Sequence, residues 1–185
     1  MSVNVFFCYA HEDEPLLKRL KVYLTPMQRL GLIALWHDRD ISAGTAWEQE
    51  ISEKLNTAQI ILLLVSPDFM ASDYCYGVEM KRALERHQRK EARVIPVILR
   101  QIDWQDILGD IQALPTDAQP VLSPLWHSPD DAFFDVAQGI RKVVMQLTPR
   151  TLTGHTGGVS SVAISADGQT VVSGSSDKTI KVWKA

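Results

Sequence analysis

The residue that most suggests chemistry is Glu79, which lies about two turns into a predicted helix after a strongly apolar segment. Residues three and four positions apart share one face of a helix, so Cys75 and Tyr76 are expected to flank this carboxylate. Partial burial at such a place perturbs the proton affinity of a carboxyl group, which is typical of functional sites. The alternative interpretation is a solvated glutamate that pairs with Lys81 or Arg82.

Other kinds of catalytic or metal site are not indicated. The sequence has no glycine-rich phosphate loop between a strand and a helix, no GxSxG motif, and no metal-ligand spacing among its five histidines. Asp38 and Asp40 could bind a divalent cation, but two carboxylates in an exposed loop are usually solvated. The sequence therefore predicts no metal site.

The composition limits the class of protein. The chain has 185 residues, of which 45% are hydrophobic and 22% charged, and its net charge is −3. We expect a globular protein that binds no nucleic acid, because there is no basic field. The longest apolar run, Ile60–Val65, is too short to span a membrane, and no signal peptide is evident. Cys8 and Cys75 lie far apart without a CxxC spacing, which fits a reducing cytoplasm.

Short apolar segments alternate with helical patterns in the first part of the chain. The strands and helices that they predict must position Glu79. Strands are predicted at Val3–Ala10, Leu32–Trp36, Gln59–Ser66, Val94–Leu99 and, weakly, near Val121. Asp13 is expected to cap the first helix, and a later helix is expected over Tyr74–Arg89. This alternation predicts an α/β fold with a five-stranded parallel sheet covered by helices on both faces. In such sheets ligands bind beyond the carboxyl ends of the strands.

The composition changes near Pro149, which predicts one domain over residues 1–148 and a second over 149–185. Five of the ten glycines lie in residues 151–185. Three short β-type segments separated by turn residues predict an antiparallel sheet there, with strands at Val159–Ser165, Thr170–Ser175 and Thr179–Trp183.

Three segments of the first domain resemble a Toll/interleukin-1 receptor (TIR) domain of the bacterial type. The segment VFFCYAHEDE resembles the first box of that family, and HDRDISAGTAWEQEI resembles the second box, which holds the BB loop. The segment SPDFMASDYCYGVEMKRALERH resembles the region that holds the family's catalytic glutamate. The resemblance implies a flavodoxin-like sheet with strand order 2-1-3-4-5.

The resemblance also implies an activity. Many bacterial TIR domains hydrolyse or cyclise NAD⁺ in signalling or antiphage defence, often only after self-association, and Glu79 would be the catalytic residue. One carboxylate could suffice, because the nicotinamide leaving group is already cationic and needs no general acid. NAD⁺ would be a substrate, with no prosthetic group. The expected substrate-binding residues are Tyr9, Ala10, Trp36, Asp38, Gly44, Trp47, Tyr74 and Cys75.

Two other functions stay open. Many family members have Trp four residues before the glutamate, where this chain has Cys75, so a non-catalytic TIR module for homotypic assembly is the alternative. A nucleoside ribosyltransferase, on a similar fold, would also use a glutamate at a strand end. The three boxes resemble TIR domains better.

The second domain resembles a single WD-type repeat, which forms one blade of a β-propeller. Gly154-His155, Asp177 and Trp183 match the structural tetrad of the repeat, and Ser173 could be the fourth member. Propellers normally have four to eight blades. One blade therefore suggests a fragment of a longer protein, or a protein partner that pairs with the blade.

Overall fold

The computed structural model describes residues 2–37, 47–73, 75–148 and 152–184, without the side chains of residues 47–49 and 76. The chain divides into two compact units, Met1–Thr148 and Pro149–Ala185. The first is an α/β unit and the second a small β-sheet, which we call the blade.

Among the residues that the structure describes, the sheet of the α/β unit has four parallel strands. They are β1 (Val3–Cys8), β2 (Ile33–Trp36), β3 (Ile60–Val65) and β4 (Arg93–Ile98), and they lie in the order β2-β1-β3-β4. All six residues of β3 are buried, as expected for an interior strand covered on both faces. Pro96 donates no ladder hydrogen bond and lies on β4, at the edge of the sheet, where such a residue is tolerated.

Six α-helices accompany this sheet in the described residues. They are α1 (Glu14–Arg29), α2 (Trp47–Thr57), α3 (Pro67–Ala71), α4 (Met80–Gln88), α5 (Gln105–Leu108) and α6 (Pro129–Leu147). Because side chains alternate along a strand, Val5 and Phe7 pack with α1 and α6, whereas Phe6 and Cys8 pack with α2 and α4. The predicted coverage of both faces is confirmed.

The predicted fifth strand near Val121 is wrong. The segment after α5 follows β4 through one isolated bridge, between Val97 and Leu114, and a few single hydrogen bonds, such as that from Val121 N to Ile98 O (2.8 Å). Pro115 and Pro120 in this segment have no N–H to donate, so a continuous ladder cannot form.

The helix predicted over Tyr74–Arg89 is divided. Residues Cys75–Glu79 form a π-helical turn, and the α-helix α4 begins only at Met80. Tyr74 lies outside the described residues. A π-helical turn contains more residues than an α-helical turn, and such turns are frequent at functional sites. The predicted α-helical spacing around Glu79 is therefore replaced by a wider turn.

The blade consists of β5 (Val159–Ile164), β6 (Thr170–Ser175) and β7 (Ile180–Lys184). The strands are antiparallel, as predicted, and lie in the order β5-β6-β7.

Candidate active site

A cavity of about 410 Å³ lies at the carboxyl ends of β1 and β3. Residues that follow β1 and residues of the α3–α4 region line it, among them Tyr9, Ala10, Glu12, Asp68, Cys75 and Glu79. Its volume is within the usual range of small-molecule sites, roughly 300–1,000 Å³. The cavity thus lies where a parallel sheet normally binds its ligand.

Glu79 is the buried acidic side chain of this cavity. It ends the π-helical turn and is only 6% exposed. The interpretation of Glu79 as a solvated surface glutamate is therefore wrong. A carboxylate removed from water in this way interacts strongly with positive charge that develops next to it.

Two thiols lie around the carboxylate. Cys8, the last residue of β1, is fully buried. Burial, and then the neighbouring Glu79 carboxylate, hold the pKa of the Cys8 thiol well above its usual value, so the thiol stays protonated. The Cys75 thiol donates to the backbone oxygen of Tyr9 over 3.3 Å, which joins the π-helical turn to the end of β1. Neither cysteine forms a disulfide.

The structure brings together some of the residues expected from the sequence and separates others. Tyr9, Ala10 and Cys75 line the cavity with Glu79. Trp36 is not among the residues that line it: its ring stacks on Phe6, with centroids 5.2 Å apart, and borders a second cavity of about 160 Å³. Asp38, Gly44, Tyr74 and the side chain of Trp47 lie outside the described residues.

A buried ionic network at the same end of the sheet was not anticipated. Asp13 is only 1% exposed and accepts hydrogen bonds from the Ser66 hydroxyl and from Arg100, whose Nη2 is 2.6 Å from Asp13 Oδ1. Arg100 also pairs with Asp68, which lines the cavity. Asp13 occupies the N-cap position of α1, as predicted, but its carboxylate makes no capping hydrogen bond because it is engaged in this network. The sequence shows polar residues after the apolar strands, but nothing in it pairs Asp13 with Arg100.

The described residues contain neither a cluster of metal ligands nor a membrane-spanning helix. In residues 2–37, 47–73, 75–148 and 152–184, no three His, Cys, Asp or Glu side chains are grouped to hold a metal ion. Over the same part of the chain, no helix is long and apolar enough to cross a membrane.

The blade contains a Ser-His-Asp arrangement of a structural kind. His155 Nδ1 lies 2.9 Å from Asp177 Oδ2, and its Nε2 lies 2.8 Å from Ser173 Oγ. Trp183 Nε1 donates to the same Ser173 oxygen over 2.8 Å. Ser173 is 5% exposed and engaged twice, so it does not act as a nucleophile. Hydrogen bonds from Thr179, and then from His155, lower the pKa of Asp177, which keeps its carboxylate charged.

Comparison with protein families identifies both units. The family model described as TIR domain matches residues 5–121, which is more than half of the chain. The chain belongs to the TIR domain family. The model described as WD domain, G-beta repeat, matches residues 147–184, in agreement with the hydrogen-bonded tetrad of the blade.

Two curated proteins are similar to parts of the chain. The "Uncharacterized protein y4lF" of Sinorhizobium fredii is 47% identical over 146 residues, which are 78% of this chain and 45% of that protein. The "Vegetative incompatibility protein HET-E-1" of Podospora anserina is 71% identical over 34 residues, which are 18% of this chain and 2% of that protein. The chain thus spans less than half the length of either relative.

Solved TIR domains share the fold at low identity. The TIR domain of the Toll-related receptor TRR-2 from Hydra magnipapillata has a TM-score of 0.55 and 19% identity, and covers 76% of this chain and 97% of its own. The TIR domains of the activated Roq1 resistosome, which directly recognises the effector XopQ, have a TM-score of 0.56, 14% identity and coverages of 75% and 99%. The RPS4 and RRS1 TIR domain heterodimer has a TM-score of 0.52 and 13% identity, and the match covers 78% of this chain and 99% of that chain.

Proposed function

We propose that this TIR domain cleaves the N-glycosidic bond between nicotinamide and ribose in NAD⁺, in a self-associated state, as part of signalling or defence. The observation that supports the proposal is the burial of Glu79 in a cavity at the carboxyl ends of β1 and β3. The surrounding segment also resembles the region that holds the family's catalytic glutamate, which supports Glu79 as the catalytic residue. NAD⁺ is the substrate, and no further cofactor is required.

Cleavage of this N-glycosidic bond requires few groups other than a correctly positioned carboxylate. The bond between ribose C1′ and the nicotinamide nitrogen breaks, and its electron pair leaves with the nitrogen, which neutralises the pyridinium ring. Positive charge then develops on the ribose, and the Glu79 carboxylate stabilises it by proximity in a water-poor site. Attack of water on C1′, with loss of a proton to solvent, gives ADP-ribose. Attack of an adenine nitrogen would instead give a cyclic product.

The deciding experiment measures nicotinamide release from NAD⁺ by the purified chain at high concentration with a crowding agent. Glu79→Gln keeps the shape of the side chain and removes its charge, so we expect release to fall by roughly 100-fold or more, as for the loss of other electrostatic catalytic groups. The matched control is Glu85→Gln, which makes the same chemical change on the exposed side of α4. Its release should equal that of the native chain.

The alternative proposal is a non-catalytic module for homotypic assembly. One feature of the chain that favours it is Val78, an apolar side chain that lies next to Glu79 and is 58% exposed. The heterodimer of RPS4 and RRS1 is an example of association between two TIR domains. Absence of nicotinamide release from samples shown to be folded and self-associated would reject the enzymatic proposal and support this one. Localisation in the cytoplasm is part of both proposals.

A further inference from the structure

Asp68 presents a fixed carboxylate to the cavity that contains Glu79. It lies in the first turn of α3 and is one of the residues that line the cavity. Its Oδ2 accepts a hydrogen bond from Arg100 Nη2. Its Oδ1 accepts no hydrogen bond from any residue that the structure describes. One oxygen of Asp68 is therefore occupied, whereas the other can accept a hydrogen bond from a ligand.

Arg100 is itself held in place by the buried ionic network beside the cavity. Its Nη2 lies 2.6 Å from Asp13 Oδ1, and Asp13 is only 1% exposed. The other oxygen of Asp13 accepts from the Ser66 hydroxyl, and Ser66 also caps α3, the helix that contains Asp68. Asp68 is thus oriented both by its helix and by its ion pair. Such preorganisation reduces the entropy that is lost when a ligand binds.

The charges around the cavity indicate which part of a ligand it can accept. Three carboxylates line it, those of Glu12, Asp68 and Glu79, whereas no lysine or arginine in the described part of the chain does so. Among the described lining residues, His11 alone can carry a positive charge. These carboxylates repel phosphate groups, but they attract cationic rings and accept hydrogen bonds from sugar hydroxyls. The nicotinamide riboside end of NAD⁺, a pyridinium ring on a sugar diol, has this chemistry.

We propose that Asp68 accepts a hydrogen bond from a hydroxyl of the nicotinamide ribose and makes the site selective for that sugar. The inference rests on the proposed function, because it requires NAD⁺ in the cavity. In this arrangement Glu79 stabilises the charge that develops on the ribose, and Asp68 holds the ribose from the side of α3. Hydrogen bonds to a sugar hydroxyl beside the reacting carbon strengthen in the transition state of glycoside cleavage. A charged acceptor makes such a bond stronger than a neutral one does.

The first test compares substrates by nicotinamide release. In Asp68→Asn, Arg100 still requires an acceptor and retains the amide oxygen, so the NH₂ group takes the place of the free carboxylate oxygen. We expect kcat/KM for NAD⁺ to fall by roughly 10- to 100-fold, as for loss of a hydrogen bond to a charged group. The other substrates are NAD⁺ analogues with 2′-deoxyribose or 3′-deoxyribose at the nicotinamide. The native chain and Asp68→Asn should cleave the analogue that lacks the bonded hydroxyl at nearly equal rates.

The comparison between substrates distinguishes ligand binding from a structural role. If Asp68 only supports Arg100 or α3, Asp68→Asn lowers kcat/KM equally for NAD⁺ and both analogues, and the inference is wrong. An unchanged kcat/KM for NAD⁺ also overturns it. The matched control is Asp106→Asn, the same chemical change at an exposed position of α5 that does not line the cavity. Helical circular dichroism checks folding, and Asp68→Ala replaces Asp68→Asn if the latter does not fold.

Binding decides the inference if the native chain releases no nicotinamide, an outcome in which the proposed function fails. Isothermal titration calorimetry then measures the affinities of NAD⁺ and of the two analogues for the native chain and for Asp68→Asn. We expect NAD⁺ to bind the variant roughly 10-fold more weakly, and the analogue without the bonded hydroxyl to bind both proteins alike. Equal affinities of NAD⁺ for the two proteins, or no binding of NAD⁺ to the native chain, overturn the inference.

Discussion

Asp13 illustrates how a single buried charge depends on its partners. Its carboxylate is almost inaccessible to water and is satisfied by the Ser66 hydroxyl and the Arg100 guanidinium. Ser66 at the same time accepts from Phe69 N over 3.0 Å and so caps α3. The network therefore connects the ends of β1, β3 and β4 beside the cavity, although no local pattern in the sequence marks it.

Removing the Arg100 guanidinium should lower the free energy of unfolding. Arg100→Met leaves Asp13 buried without its counter-charge, and we expect a loss of about 3 kcal/mol in the free energy of unfolding. Asp68→Asn breaks only the more exposed of the two ion pairs and should cost less than about 1 kcal/mol. Urea unfolding followed by helical circular dichroism measures both. Equal losses from the two variants would contradict the assigned role of Asp13.

At the scale of elements, the π-helical turn Cys75–Glu79 is the feature that local pattern predicted incorrectly. Periodicity indicated an α-helix, and Gly77, which has a weak helix propensity, was the only local sign of a disturbance. The turn is stabilised by contacts that are distant in sequence, such as that between Cys75 and Tyr9. Elements with strong local signals were easier to predict. The sequence Ser128-Pro129-Asp130-Asp131 combines a capping residue, a proline and two carboxylates, which is typical of a helix start, and α6 begins there.

The start of α6 provides a test at this scale. Ser128 Oγ accepts from Asp131 N, and the Asp131 carboxylate accepts from Ser128 N over 3.0 Å, which forms a capping box. Ser128→Ala should lower the free energy of unfolding by about 1 kcal/mol. Lys142→Ala, an exposed substitution within the same helix, should change it by less than about 0.5 kcal/mol. A similar loss in the free energy of unfolding from Ser128→Ala and Lys142→Ala would show that the capping box does not stabilise α6.

At the scale of the whole molecule, the two units differ in what stabilises them. The α/β unit has apolar clusters on both faces of its sheet. In the described part of the blade, Ser173 is the only buried residue, and six apolar side chains lie exposed: Val159, Val162, Ile164, Val172, Ile180 and Val182. The stability of a three-stranded sheet with so little burial depends strongly on its hydrogen bonds.

We therefore expect the blade to unfold independently of the α/β unit. His155→Ala removes the contacts with Asp177 and Ser173, and we expect the amide resonances of residues 152–184 to lose their dispersion in NMR spectra. The helical unfolding transition of the α/β unit should keep its midpoint. His127→Ala, at an exposed position, should leave both observables unchanged. A fall in the midpoint with His155→Ala would mean that the two units unfold together.

The resemblance to TIR domains implied the order of the first four strands. The sequence by itself determined the α/β alternation, the antiparallel blade and the position of Glu79 after the central strand. These features follow from periodicity, capping residues and motifs that act over a few residues. Only the tertiary structure decided that Glu79 is buried beside Tyr9 in the cavity, that Trp36 packs on Phe6 away from the cavity, and that Asp13 joins Arg100. Each of these contacts joins residues that are distant in sequence, and burial and charge pairing between distant segments leave no local pattern.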